Sequence, residues 1–108
     1  TETRTLPDHG RTSIGQARTK VASPAYAYYK EITLNNNSGM PCYINVRTGD
    51  GSQGTVCGRA PVAVAGNAEY QRVYYASGYG LIGATYRPSA QTDNDSTRSA
   101  SITWTWQP

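Results

Sequence analysis

The stretch 100–107 reads ASITWTWQ, and Ala100, Ile102, Trp104 and Trp106 alternate in it with Ser101, Thr103 and Thr105. A period of two places these sets on opposite faces of a β-strand. One face is apolar and the other carries hydroxyls, as in a strand that lies between a core and water.

Working back along the chain, similar runs recur. CYINVRT (42–48) sets Cys42, Ile44 and Val46 against Tyr43, Asn45 and Arg47. AYAYYKEITL (25–34) sets Tyr26, Tyr28, Lys30, Ile32 and Leu34 against Tyr29, Glu31 and Thr33. An apolar piece at 62–65, a strand at 68–76 and a buried strand LIGATY at 81–86 follow, the last closed by Arg87-Pro88. NNNSGMP (35–41), Gly66-Asn67, GYG (78–80) and the polar stretch PSAQTDNDSTR (88–98) read as turns and loops. Six or seven short strands, no helix and a turn about every ten residues predict an all-β fold. The expectation is a small antiparallel β-sandwich, with a small barrel as the alternative.

The totals agree. A chain of 108 residues is one domain with one modest core. Only 16% of residues are charged, and the chain has nine Tyr and two Trp but no Phe. This profile suits a secreted, extracellular β protein. A net charge of +3 is too mild for a dedicated nucleic-acid binder. No apolar run approaches the ~20 residues of a membrane span. The polar first residues read as those of a mature chain.

Cys42 and Cys57 are the only cysteines. If Gly49-Asp50 forms a two-residue type II′ loop, Thr48 pairs with Gly51, Val46 with Gln53, and Cys42 with Cys57. Directly opposed cysteines lie about 5.5 Å apart at Cα, within disulfide reach. The expectation is one disulfide, and with it an oxidising compartment.

The chain divides near Pro24. Residues 1–24 hold no aromatic, and Leu6, Ile14 and Val21 are their only large apolar side chains. They read as an extended N-terminal arm on a sandwich of residues 25–108. Arg-Thr recurs at 4, 11 and 18, but Pro7, Gly10 and Gly15 exclude a coiled coil. Arg4, Arg11, Arg18 and Lys20 make the arm basic, suited to adding a strand to a partner's sheet or lying in an acidic cleft; the alternatives are a disordered tail and an edge strand run back along its own sandwich.

No catalytic, metal or cofactor site emerges, and the chain is read as no enzyme. His9, the only histidine, lies in the arm, away from any fixed nucleophile. Glu31 and Glu69 are the only carboxylates on strands after Pro24, and they read as a solvated face rather than a glycosidase pair. Asp93 and Asp95 alternate as in a calcium loop, but an EF-hand's Gly and Glu positions hold Arg98 and Trp104. Gly78, Gly80 and Gly83 match G-x-G-x-x-G without a following helix and read as turns. Asn36 and Asn94 begin Asn-x-Ser sequons.

Tyrosine is the outstanding signal for binding, because it joins an apolar body to a polar tip. Tyr28, Tyr74, Trp104 and Trp106 are expected in the core, with Tyr29, Tyr75 and Tyr79 at the surface. The predicted partner-binding residues are Arg4, Leu6, Arg11, Ile14, Arg18, Lys20, Tyr29, Tyr75 and Tyr79.

The stretch 35–66, with its cysteine hairpin, A-P-x loop and Tyr-rich sequel, resembles small exported β-sandwich proteins of actinobacteria. It is similar in general look to proteinaceous α-amylase inhibitors of the tendamistat type. Those have two disulfides and a W-R-Y triplet, where this chain has one cysteine pair and QRVYY, so inhibition is not carried over. The arm-plus-sandwich layout resembles the adaptor subunits of umbrella toxin particles. That resemblance implies an N-terminal extension docked on another subunit. The expected function is therefore a non-catalytic protein-binding module of a secreted assembly. The alternatives are an inhibitor of a secreted hydrolase and a domain with a glycan as its ligand.

Overall fold

The computed structural model describes residues 1–35 and 40–108. The Asn36 sequon and the centre of its turn cluster lie outside the described residues. The strands are β1 (Glu2–Leu6), β2 (Thr12–Ile14), β3 (Arg18–Thr19), β4 (Tyr26–Asn35), β5 (Cys42–Thr48), β6 (Val62–Val64), β7 (Ala68–Tyr74), β8 (Thr85–Thr92) and β9 (Ala100–Gln107). Two antiparallel sheets form a sandwich. One has the order β1-β9-β4-β7; the other has β2-β8-β5-β6, with β3 also on β8.

The alternation of β9 appears as expected: Ala100, Ile102, Trp104 and Trp106 are all buried. So are Cys42, Ile44 and Val46 of β5. Between the sheets, the Tyr29 ring lies 5.8 Å from Trp104 and 6.0 Å from Trp106, centre to centre. Its hydroxyl donates to the Asn45 carbonyl at 2.8 Å, which satisfies the one polar atom it brings inside.

Residues 1–24 run back along their own sandwich. They supply β1, the edge strand of the first sheet, and β2 and β3, which together edge the second. Leu6 and Lys20 are fully buried. The Lys20 ammonium donates to the carbonyls of Pro24 (2.7 Å) and Pro108 (3.0 Å) and sits 5.3 Å from the Tyr75 ring centre. Burial lowers its pKa. Strands on both sides of Pro24 thus share both sheets.

The hairpin after β5 is wider than a two-residue turn. Thr48 N–H donates to the Thr55 carbonyl at 2.8 Å, and Arg47 faces Val56. The loop runs over 49–54, where Gly54 takes a left-handed φ of 63° and packs on the Thr48 carbonyl. Cys57 therefore meets Val46, to whose carbonyl its N–H donates at 3.0 Å. Cys42 lies four residues farther along β5, about 13 Å at the ordinary strand rise. The two cysteines are not at disulfide distance; both are free, buried thiols. Their pairing therefore gives no argument for an oxidising compartment.

Strand β8 also differs from the reading of LIGATY. Residues 81–84 are turn, and the strand runs from Thr85 through Pro88 to Thr92. Pro88 is tolerated in this central strand because it faces a gap. The Pro88 carbonyl accepts from Gly15 N–H at 2.8 Å on the edge where β2 has ended and β3 has not begun. A missing N–H breaks no ladder there.

The largest departure lies in β4. Ala27 and Tyr29 point inward, Lys30 and Glu31 both outward, and Ile32 and Leu34 inward again. The register against β9 shifts between Tyr29 and Glu31, a β-bulge that adds Lys30. The extra residue reverses the phase. Tyr26 and Tyr28 therefore leave the core and Tyr29 enters it.

Candidate functional site

The bulge in β4 has a counterpart in β7. Tyr70 has a φ of 59°, a left-handed conformation that is an outlier for a bulky residue. It reverses the phase of β7: Val73 points inward with Arg72 and Tyr74 outward, whereas Ala68 packs on the core with Glu69 outward. Both strands reset at one level, so Tyr26, Tyr28, Tyr70, Arg72 and Tyr74 collect on the outer face of the first sheet.

The rings pack on one another there. Tyr26 stands edge-on to Tyr74 (5.4 Å) and to Tyr28 (6.2 Å), and Tyr28 stacks with Tyr70 at 6.0 Å. The Arg72 guanidinium lies over Tyr26, 4.7 Å from the ring centre, close enough for a cation–π contact. A hydrogen bond with Tyr74 and the neighbouring tyrosines raise the Arg72 pKa further. Tyr70 is 66% exposed and Tyr74 47%. Beyond the bulge, Glu31 and Glu69 face each other directly across the strands, an arrangement that weakens a sheet. They line a shallow groove of ≈ 510 Å³ with Thr33 and Asn67. Among the described residues no group of three or more His, Cys, Asp or Glu comes together.

The predicted partner-binding residues do not form one surface. Leu6, Lys20, Tyr29 and Tyr75 are buried. Burial raises the pKa of both tyrosines. Ile14 is half-buried on β2. Arg11 is turned onto Asp8 at 2.7 Å, and Arg18 donates to the Trp106 carbonyl at 2.7 Å. Arg4 reaches Ser13 at 3.4 Å. Tyr79 alone of the three named tyrosines is a surface residue. Tyr28 and Tyr74, read as core, belong to the outer patch instead. The signal for this was in Lys30-Glu31: two successive charges between apolar pairs cannot alternate without an extra residue.

Polar groups gather at three other places. A cavity of ≈ 340 Å³ between β1 and the β2–β3 link is lined by Glu2, Gln16, Arg18, Trp104 and Trp106. Its polar groups are joined to each other: Trp104 Nε1–H donates to Glu2 at 3.0 Å, and so does Gln16 N–H. That makes it a clasp between the sheets. His9 is exposed on a left-handed turn, its Nδ1 3.3 Å from Asp8. Asp93 accepts from Tyr43 at 3.1 Å and from Asp95 N–H at 2.9 Å, which orders the 93–99 loop. No protein-family model and no curated protein matches the chain.

Proposed function

We propose that the chain is a non-catalytic module that binds another protein through Tyr26, Tyr28, Tyr70, Arg72 and Tyr74. One observation carries this reading. Two neighbouring strands break their regular structure at the same level, at the cost of a left-handed tyrosine, and the result is an exposed aromatic and arginine cluster. Strain of this kind persists where a site needs it. Tyr and Arg are the residues that concentrate binding energy at protein interfaces. Tyr26 stands edge-on to two neighbours, so the rings offer no common plane on which sugar units would stack.

The test compares the immobilised chain with its Tyr70→Ser/Arg72→Ser/Tyr74→Ser variant. Protein from the source organism's medium and lysate is passed over both, and whatever only the wild type retains is purified and titrated against each. A partner that binds the wild type at least about tenfold tighter supports the reading. Retention of a glycan in place of a protein, or equal binding by the variant, overturns it.

A further inference from the structure

The end of the sandwich where β4 begins and β9 finishes carries a second feature. Val21 is 81% exposed, Ile82 65%, Leu81 60% and Tyr79 40%. They lie on two loops joined by Lys20 N–H to the Ala84 carbonyl (2.8 Å) and Gly83 N–H to the Lys20 carbonyl (2.9 Å). The longer loop is not slack. The hydroxyl of buried Tyr86 accepts from both Gly80 N–H and Leu81 N–H at 2.9 Å. Gly78, Gly80 and Gly83 hold left-handed φ values of 80–90°. The fold therefore fixes these aliphatic side chains in water rather than leaving them there by disorder.

Charge is distributed along the same axis. Arg18, Lys20, Arg47, Arg59, Arg72 and Arg87 lie in the half toward this end, where Asp50 and Glu2, the latter opposite Trp104, supply fewer negative charges. Asp8, Asp93 and Asp95 lie at the other end, beside Ser96 and the start of β9. A fixed aliphatic tip with a Tyr beside it and cations behind it has the composition of an interfacial membrane contact. Two copies meeting through this end would set like charges against each other. An anionic bilayer satisfies both the charge and the apolar surface.

We infer that this end docks peripherally on an anionic lipid bilayer, with Val21, Leu81 and Ile82 entering the boundary between headgroups and acyl chains. No helix among the described residues is long and apolar enough to cross a membrane; the contact inferred here is at the surface.

The test is flotation of the full chain with phosphatidylcholine vesicles, with and without phosphatidylserine. The chain floats with the anionic vesicles only, and less so as salt rises. Leu81→Ser and Ile82→Ser each weaken binding about tenfold, and Arg59→Ser about fivefold. Val21→Ser, on the other loop, weakens it as well, so the result does not rest on one loop's integrity. Tyr70→Ser leaves flotation unchanged, which separates this surface from the tyrosine patch. Absence of flotation overturns the inference. So does undiminished binding by the Leu81, Ile82 and Val21 variants, or lipid-free self-association that these variants abolish.

Discussion

Lys30 of β4 and Tyr70 of β7 stand opposite each other at the level where the ladder skips: Tyr29 pairs with Gln71 and Glu31 with Glu69, but these two do not pair. One is the extra residue of a bulge and the other is left-handed. Together they turn two tyrosine-bearing strands over in concert, so the pairing resumes beyond them in the same register.

That relationship inverts an ordinary preference at position 70. In a regular strand Val is better than Gly by up to ~1 kcal/mol. At a φ of 59°, a β-branched side chain collides with its own backbone and glycine does not. Tyr70→Gly is therefore expected to be more stable than Tyr70→Val by about 1–2 kcal/mol. Denaturant titration of the two variants measures this, and a Val variant equal to or above Gly contradicts the strained conformation.

Residues 1–24 are expected to be indispensable to the fold. Removing them uncovers one edge of each sheet and takes away Leu6, whose burial alone contributes ~2 kcal/mol. It also strips the Glu2 carboxylate from Trp104. A chain beginning at Ala25 should lose its near-ultraviolet circular dichroism and its cooperative thermal transition. A truncated protein that melts like the full chain would refute the assignment of β1–β3.

Replacing Lys20 by Met should cost about 2–3 kcal/mol, because two carbonyls are left without their donor. The aliphatic stem is preserved, so the loss reports the ammonium. Lys20→Arg does not rescue, since a planar fork does not fit a site built for a compact head. Thermal melts of the three proteins provide the comparison.

The buried thiols predict an alkaline limit. Burial pushes Cys57 from its ordinary 9.0 up to about 11. Between these values the unfolded chain has released a proton that the native chain keeps, so raising the pH favours unfolding. The contribution is intact below pH 9 and reaches roughly 2 kcal/mol of lost stability by pH 11. Cys42, Tyr29 and Tyr75 are shifted upward by burial too and act in the same direction. Lys20, shifted downward, acts in the opposite one below its ordinary 10.5. Cys57→Ala should flatten the stability profile between pH 9 and 11. In the native protein at pH 8, both thiols should resist alkylation that is complete after denaturation.

The core was legible wherever a strand keeps its period. The apolar faces of β5 and β9 follow from alternation alone, and Trp104 and Trp106 lie where it puts them. What escaped the pattern did so for specific reasons. A bulge adds one residue and inverts every assignment beyond it, which exchanged Tyr28 for Tyr29, and left-handed Tyr70 does the same in β7 for Tyr74 and Tyr75. Edge strands such as β1 and β3 carry charged residues, and the burial of Lys20 depends on two carbonyls close to it only in space. The hairpin register depended on the loop length, and a loop of 49–54 instead of two residues separates the cysteines. Leu81 and Ile82 look like a strand, but the Tyr86 hydroxyl holds their backbone in a turn.

The arm's pairing also sets the order in which the molecule can be completed. Thr3 meets Thr103 hydroxyl to hydroxyl at 2.8 Å, across a hundred residues of chain. Since β1 pairs only with β9, it has no sheet to join until β9 has been made. Until then β1 is a solitary ribbon and the first sheet lacks its outer edge, whereas β2 and β3 can already join β8 in the second. Pairing across so long a stretch of chain raises the contact order, a feature that slows folding.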